Sequence, residues 1–335
     1  MPELLMEPCK ASSCPLSINL KIMTGKERFL KTLRFEPTDR PPHFESMFEL
    51  EKEAFGLQFP DRTSWAGCSG SEKEKKIATC MEIYERIVGR YRWDALTVYW
   101  PWGDPDGVVA AKRTFGDDIA IGAMVGGSLW CIDTITDWEA FAIDLVENRR
   151  GIHEEAERRC LEGLKAIERL VSAGADFIYL PHDVAHNGGP FCSPFDFAEI
   201  VTPYMKRLVE HVKKCGAKAF VHSDGNLMAV LDQILSCEPH ALQSLDPMAG
   251  MDIAEVKRLA HGRMALMGNV QCDKLQDGPC EEIRKSALYC LENATPGGGY
   301  IFSTSNTIFP GMPLENYEYM LEVFHEFIAA PSRNR

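Results

Sequence analysis

Oxygen and imidazole side chains recur at the ends of short apolar runs in this chain, and they are of the types that hold a metal ion or move a proton. The run KAFVHSDGN carries His222 and Asp224 just past its apolar part. On an extended strand, two residues that far apart turn their side chains to the same face. An imidazole beside a carboxylate can share a divalent cation, with His222, Asp224 and Asn306 as the candidate ligands, or it can act as an acid–base pair. DFIYLPHDVAH adds His182 and Asp183, with His186 beyond them; HFE offers Glu45, and YIFSTSN ends on Asn306. Asp183, Glu45 and His222 are the candidate catalytic groups. Each also has an ordinary alternative. His222 can bond a neighbouring carbonyl at a strand end, Asp224 can cap the helix that NLMAVLDQIL would form, and the histidines of HDVAHNGG can be solvated loop residues.

The elements that would position these groups alternate in type. From Thr24 onward, short β-branched or aromatic runs give way repeatedly to longer amphipathic stretches, the pattern of a parallel sheet with helical crossovers. Strands are expected at residues 43–45, 95–100, 119–125, 176–180, 218–223, 241–245, 264–270 and 300–305. Eight such units in βα alternation predict a single (β/α)8 TIM barrel, whose chemistry belongs at the carboxyl ends of the strands. Between them, HEEAERRCLEGLKAIERLVSAG reads as a helix stopped by Gly174. SPFDFAEIVTPYMKRLVEHVKKCG opens with Ser193 as N-cap and Pro194 at the first helical position, and Pro203 inside it predicts a kink. Residues 1–22, rich in Pro, Ser and Cys, lack helical periodicity and read as a poorly ordered extension ahead of a barrel domain over 23–335.

Bulk properties narrow the partners. The formal charge of −13 disfavours nucleic acid, anionic membrane and polyanionic substrates. Twelve cysteines without a CxxC pair suit a reducing compartment. No run approaches the ~20 apolar residues of a membrane span, so a cytoplasmic enzyme is expected, and a homodimer is compatible with this reading. Gly297, Gly298 and Gly299 precede a strand and so predict a tight turn, not a dinucleotide loop.

The segments HSDGN (222–226), MGNVQ (267–271), PGGGYIFSTSN (296–306) and PGMPLEN (310–316), in that order after SPFDFAEIVTPYMKRLV, resemble the uroporphyrinogen decarboxylase superfamily. The resemblance implies a (β/α)8 barrel and one of two activities: decarboxylation of uroporphyrinogen, or methyl transfer to or from a corrinoid protein, usually with zinc. A polycarboxylate substrate needs arginine forks, and the family's Arg-rich segment after the first strand is here PPHFESMFELE. That favours the methyltransferase branch.

Relative to the zinc enzymes of that branch, the His-x-Cys motif reads as His222 and Asp224, and the cysteine before the final Pro-Gly-x-Pro segment reads as Asn306. Two thiolates are exchanged for oxygen groups. The result is a harder, more electrophilic site, suited to activating a leaving group such as the phenolate of an aryl methyl ether. The resemblance thus implies a divalent metal, zinc foremost, a small-molecule methyl donor of the methoxylated aromatic kind, and cobalamin carried by a partner corrinoid protein, since no Asp-x-His-x-x-Gly signature occurs here. Methylamine- or thiol-specific transfer, and corrinoid binding without catalysis, remain as alternatives. Trp100, Trp102, Phe191 and Phe309, with His182, are the candidate substrate-binding residues; as ordinary residues the aromatics would serve barrel packing or anchor loops.

Overall fold

The computed structural model describes residues 23–65, 67–260 and 262–330, so the extension expected over 1–22 lies outside the described residues. The chain forms a curled, all-parallel sheet of seven strands: β1 (Ala95–Val98), β2 (Ala120–Met124), β3 (Phe177–Pro181), β6 (Lys218–Ser223), β7 (Ala241–Ser244), β8 (Ala265–Met267) and β9 (Tyr300–Ile301), in that spatial order. Two short strands, β4 (Ala185–His186) and β5 (Gly189–Pro190), form a small antiparallel hairpin after β3. The sheet strands are buried along nearly their whole length because helices cover the outer face.

The first expected strand is not one. Around His43 the chain makes only isolated parallel bridges, His43 with Phe302 and Phe48 with Ile308. It still reaches both edges of the sheet. Phe302 N–H donates to Pro42 O at 2.9 Å on the β9 side, and Asp94 N–H donates to His43 O at 2.9 Å ahead of β1. Two features prevent a regular ladder. Pro41 and Pro42 have no N–H to give, and the backbone N–H of Thr304 is taken by the Glu45 carboxylate at 3.0 Å. The last strand ends at Ile301, and beyond it Phe302 and Thr304 make only isolated bridges, with His43 and Val270.

The helices keep close to their predicted signals. The helix Arg149–Ser172 ends ahead of Gly174 at φ +108°, and Pro194–Ile200 is capped by Ser193, whose Oγ accepts Asp196 N–H at 3.1 Å. Pro203 does more than kink its helix. The chain breaks at Val201 and restarts as Thr202–Lys214, with the proline in the first turn where its missing N–H costs nothing. Gly297, Gly298 and Gly299 all adopt positive φ in the turn into β9, as that reading required.

What fills the interior decides where chemistry can occur. At the amino end of the sheet, the helix Gly25–Thr32 inserts Phe29, fully buried, against Phe44, Phe177 and Phe220, with ring centroids 5.0–5.8 Å apart. Arg28 and Arg40 close this end through ion pairs with Asp94, and Arg28 also pairs with Asp39. The next layer toward the carboxyl ends is polar: Tyr179, His222 and Gln243 sit above the phenylalanines. Among the described residues, no helix is long and apolar enough to cross a membrane.

Candidate metal centre

Strand register assembles the site. Pro181 on β3 pairs with His222 on β6, and His222 pairs with Gln243 on β7, so His222 stands between the two neighbouring strands. Along β6 and just past it, Phe220, His222 and Asp224 alternate onto one face. Asp183 follows β3 by two residues. One donor atom from each of Asp183, His222 and Asp224 lies within 4.8 Å of the others. The turn that delivers Asp224 depends on Gly225 at φ +82°, where an added Cβ would sit 2.4 Å from Ala185 O. Asn226 N–H then bonds His186 O at 2.9 Å and ties the turn to the β4–β5 hairpin.

The cluster is internally bonded. Asp183 Oδ1 accepts the Asp224 backbone N–H at 2.9 Å and lies 3.5 Å from His222 Nε2. Asp224 Oδ1 accepts from Ser244 Oγ at 2.6 Å, and its Oδ2 accepts from Asn306 Nδ2 at 2.5 Å. His222 Nδ1 is bonded to Gln243 Oε1, which also receives the Tyr179 hydroxyl. Burial alone would depress the His222 pKa, but the hydrogen bond to Asp183 and the charges of Asp224 and Asp183 outweigh it and push it up to about 9. Burial works against ionisation of Asp183 as well, yet its bond to His222 holds it below the usual carboxylate range. Burial raises Asp224 despite the nearby imidazole, and repulsion from Asp183 and Asp246 adds to this.

Two carboxylates are thus crowded beside one imidazole, and among the described residues no lysine or arginine forms an ion pair with either. A nitrogen and two hard oxygens within reach of one point suit a divalent cation. The donor set present here fits one.

The expected residues divide into those gathered here and those placed elsewhere. His222 and Asp224 are at the centre. Asp183, expected as a catalytic group, is a full member of the cluster. Asn306, expected as a ligand, instead turns its amide nitrogen to Asp224 and holds that carboxylate in place. His182 is buried: its Nε2 accepts Ser128 N–H at 3.2 Å and lies 2.9 Å from Ser128 Oγ, and burial holds its pKa down at about 4. Glu45 is fully buried, and its Oε2 receives Ser303 Oγ at 2.7 Å, Thr304 N at 3.0 Å and Thr304 Oγ1 at 2.8 Å. Its Oε1 has no hydrogen-bond partner, and burial pushes the carboxyl up to about 7 against those bonds.

The four aromatics do not form one wall. Trp100 and Trp102 lie 6.4 Å apart, and the guanidinium of Arg62 sits 4.4 Å over the Trp100 ring. Trp100 lines a cavity of about 490 Å³ together with Glu49, Glu51, Phe59 and Pro310. Phe191 belongs to a separate group with Trp138 and Phe141, and Phe309 is half-buried against the core. Sequence reasoning passed over Gln243, Tyr179 and Ser244. The available signal was a glutamine inside ALQSL, a polar residue in the middle of a short apolar strand.

Comparison with known proteins agrees with this architecture. The family model described as Uroporphyrinogen decarboxylase (URO-D) matches residues 107–327, and the chain belongs to that family. A uroporphyrinogen decarboxylase of Anaeromyxobacter sp. (strain Fw109-5) is 27% identical over 243 residues, covering 70% of this chain and 67% of the relative. One from Anaeromyxobacter dehalogenans (strain 2CP-C) is 26% identical over the same shares. Among solved structures, a methyltransferase from Methanosarcina mazei superposes with a TM-score of 0.73 at 17% identity, over 92% of this chain and 100% of that one, and so shares the fold.

Proposed function

We propose that this protein is a methyltransferase that takes a methyl group from a small methoxylated, aromatic donor and passes it to the cobalt of a corrinoid carried on a separate protein. The observation that carries the reading is the Asp183–His222–Asp224 cluster at the carboxyl ends of β3 and β6. In this reading, segment 42–48 acts as the eighth stave of a (β/α)8 barrel, bridging β9 and β1.

A divalent metal, zinc foremost, supplies Lewis acidity toward the donor oxygen when bound. Asp183, His222 and Asp224 would hold it, while Ser244 and Asn306 fix the direction of the Asp224 carboxylate. Transfer of the methyl carbon to the partner's Co(I) would form a methyl–cobalt bond as the C–O bond breaks, leaving that bond's electron pair on the donor oxygen, which would then take up a proton. Glu45, bonded to Ser303 and Thr304 in the segment leading to Asn306 and with its carboxyl pushed up to about 7 by burial, can exchange a proton near neutral pH. Trp102, on the loop after β1, contributes an exposed indole tilted 50° from Trp100, and so offers an apolar edge for the donor ring.

The names of the curated relatives favour a second reading, decarboxylation of a polycarboxylate. The charges oppose it. The cluster presents two aspartates, Arg28 and Arg40 are engaged by Asp94 at the far end of the sheet, and Arg62 is paired with Glu49.

The deciding experiment combines purified protein, Co(I) corrinoid protein and a panel of donors that includes vanillate-like ethers, methylamines and thiols. Methyl-cobalt formation is followed by absorbance, with uroporphyrinogen turnover in parallel. Ether-dependent methylation supports the proposal. Decarboxylation without any methyl transfer would overturn it.

A further inference from the structure

The hydrogen-bond polarity around His222 can be read from a single unambiguous group. The backbone carbonyl of Asn306 can only accept, and it lies 3.3 Å from Gln243 Nε2. It also receives Ser46 Oγ at 3.1 Å and is therefore held in place. Gln243 must present its NH2 to that carbonyl, which turns Oε1 toward Tyr179 and His222. An amide oxygen also only accepts. Tyr179 must then donate its hydroxyl, and His222 must donate an Nδ1–H. A reversed amide would set its oxygen against the Asn306 carbonyl and leave that acceptor facing another acceptor.

This leaves Nε2, the atom facing Asp183 at 3.5 Å, as the imidazole nitrogen that would take a metal in exchange for its proton. The ring plane is held too, since Tyr179 stacks on the imidazole with centroids 5.7 Å and planes 29° apart. Gln243 itself is fully buried.

We propose that Gln243 is a positioning residue that fixes His222 as an Nε2 ligand, and that Asn306 anchors two ligands at once: Asp224 through its side chain, and His222 through its carbonyl and Gln243. The inference rests on the metal reading above. A partner that locks the tautomer and aims the ring changes metal affinity without touching the metal, typically 10- to 100-fold.

The test uses full-length protein, with zinc affinity measured by competition against a chromophoric chelator and the visible spectrum of the Co(II)-loaded form as a second readout. Gln243→Leu removes the acceptor for Nδ1–H and is expected to weaken zinc binding about 10- to 100-fold and to shift the Co(II) bands. Gln243→Glu keeps an acceptor for the imidazole and is expected to recover most of the affinity, which a merely space-filling role for Gln243 would not explain. Thermal unfolding confirms that the variants are folded. Long-range 15N correlation spectra of the zinc-loaded wild type need no variant at all, and are expected to show His222 protonated at Nδ1 and coordinated through Nε2. Coordination through Nδ1, or a Gln243→Leu protein that binds zinc as tightly as wild type, overturns the inference while leaving the metal site standing. A wild type that binds no zinc removes both.

Discussion

Glu45→Gln tests how an ionisable group can stand in the buried interior of this fold. Glu45 is fully buried, and desolvation moves its carboxyl from 4.5 up to about 7 against three hydrogen bonds from Ser303 and Thr304. The unfolded chain loses this proton above about 4.5, whereas the folded protein keeps it until about 7. Folding stability therefore declines as pH rises through that window, because the native state binds more protons than the unfolded state. The interval between 4.5 and about 7, at roughly 1.36 kcal/mol per pH unit, is about 3 kcal/mol. The glutamine oxygen can take the same three donors, and its NH2 replaces the partnerless Oε1. Burying that unpaired NH2 costs about 1–3 kcal/mol at every pH, so the diagnostic quantity is the slope and not the offset. Urea unfolding at half-unit steps from pH 4.5 to 8 should show the variant gaining about 3 kcal/mol relative to wild type between the two ends. A difference that stays constant to within about 0.5 kcal/mol would refute the placement of Glu45 as a buried, proton-holding acid.

Three further outcomes are expected. His222→Ala should abolish stoichiometric metal binding, and Asp183→Asn and Asp224→Asn should each weaken it, as measured by elemental analysis after dialysis; metal retained in His222→Ala excludes the cluster as the centre. Asn306→Ala should lower metal affinity about tenfold or more by releasing the Asp224 carboxylate, in chelator competition. Phe29→Ala should cost about 3–5 kcal/mol in chemical denaturation because the phenylalanine plug loses its central ring, with metal binding by the folded fraction unchanged.

Much of the molecule was legible along the chain. KAFVHS is a strand over its full expected length, Ser193 and Pro194 start their helix where cap chemistry requires, and the glycine run before β9 is a turn. These are local properties: propensity, capping and backbone freedom act over a few residues. The strand expected at 43–45 was misread because its apolar pattern is correct while its hydrogen bonding is not. Two prolines and a carboxylate that captures a neighbour's N–H leave only bridges. Asn306 was assigned to the metal from its position relative to Pro-Gly-x-Pro, and that spacing placed it beside Asp224, but which of its atoms faces inward depends on Asp224 itself, 82 residues earlier.

The order of residues along this chain by itself determined the alternating architecture, the family and the identity of His222, Asp183 and Asp224 as strand-end groups. Only the tertiary structure decided that Asp183 joins the pair, that Asn306 and Ser244 serve it, and that Gln243 faces the imidazole. The reason is register: a side chain on one strand meets its partner on another only through the stagger of the folded sheet, and a single-residue slip would turn His222 or Gln243 to the opposite face.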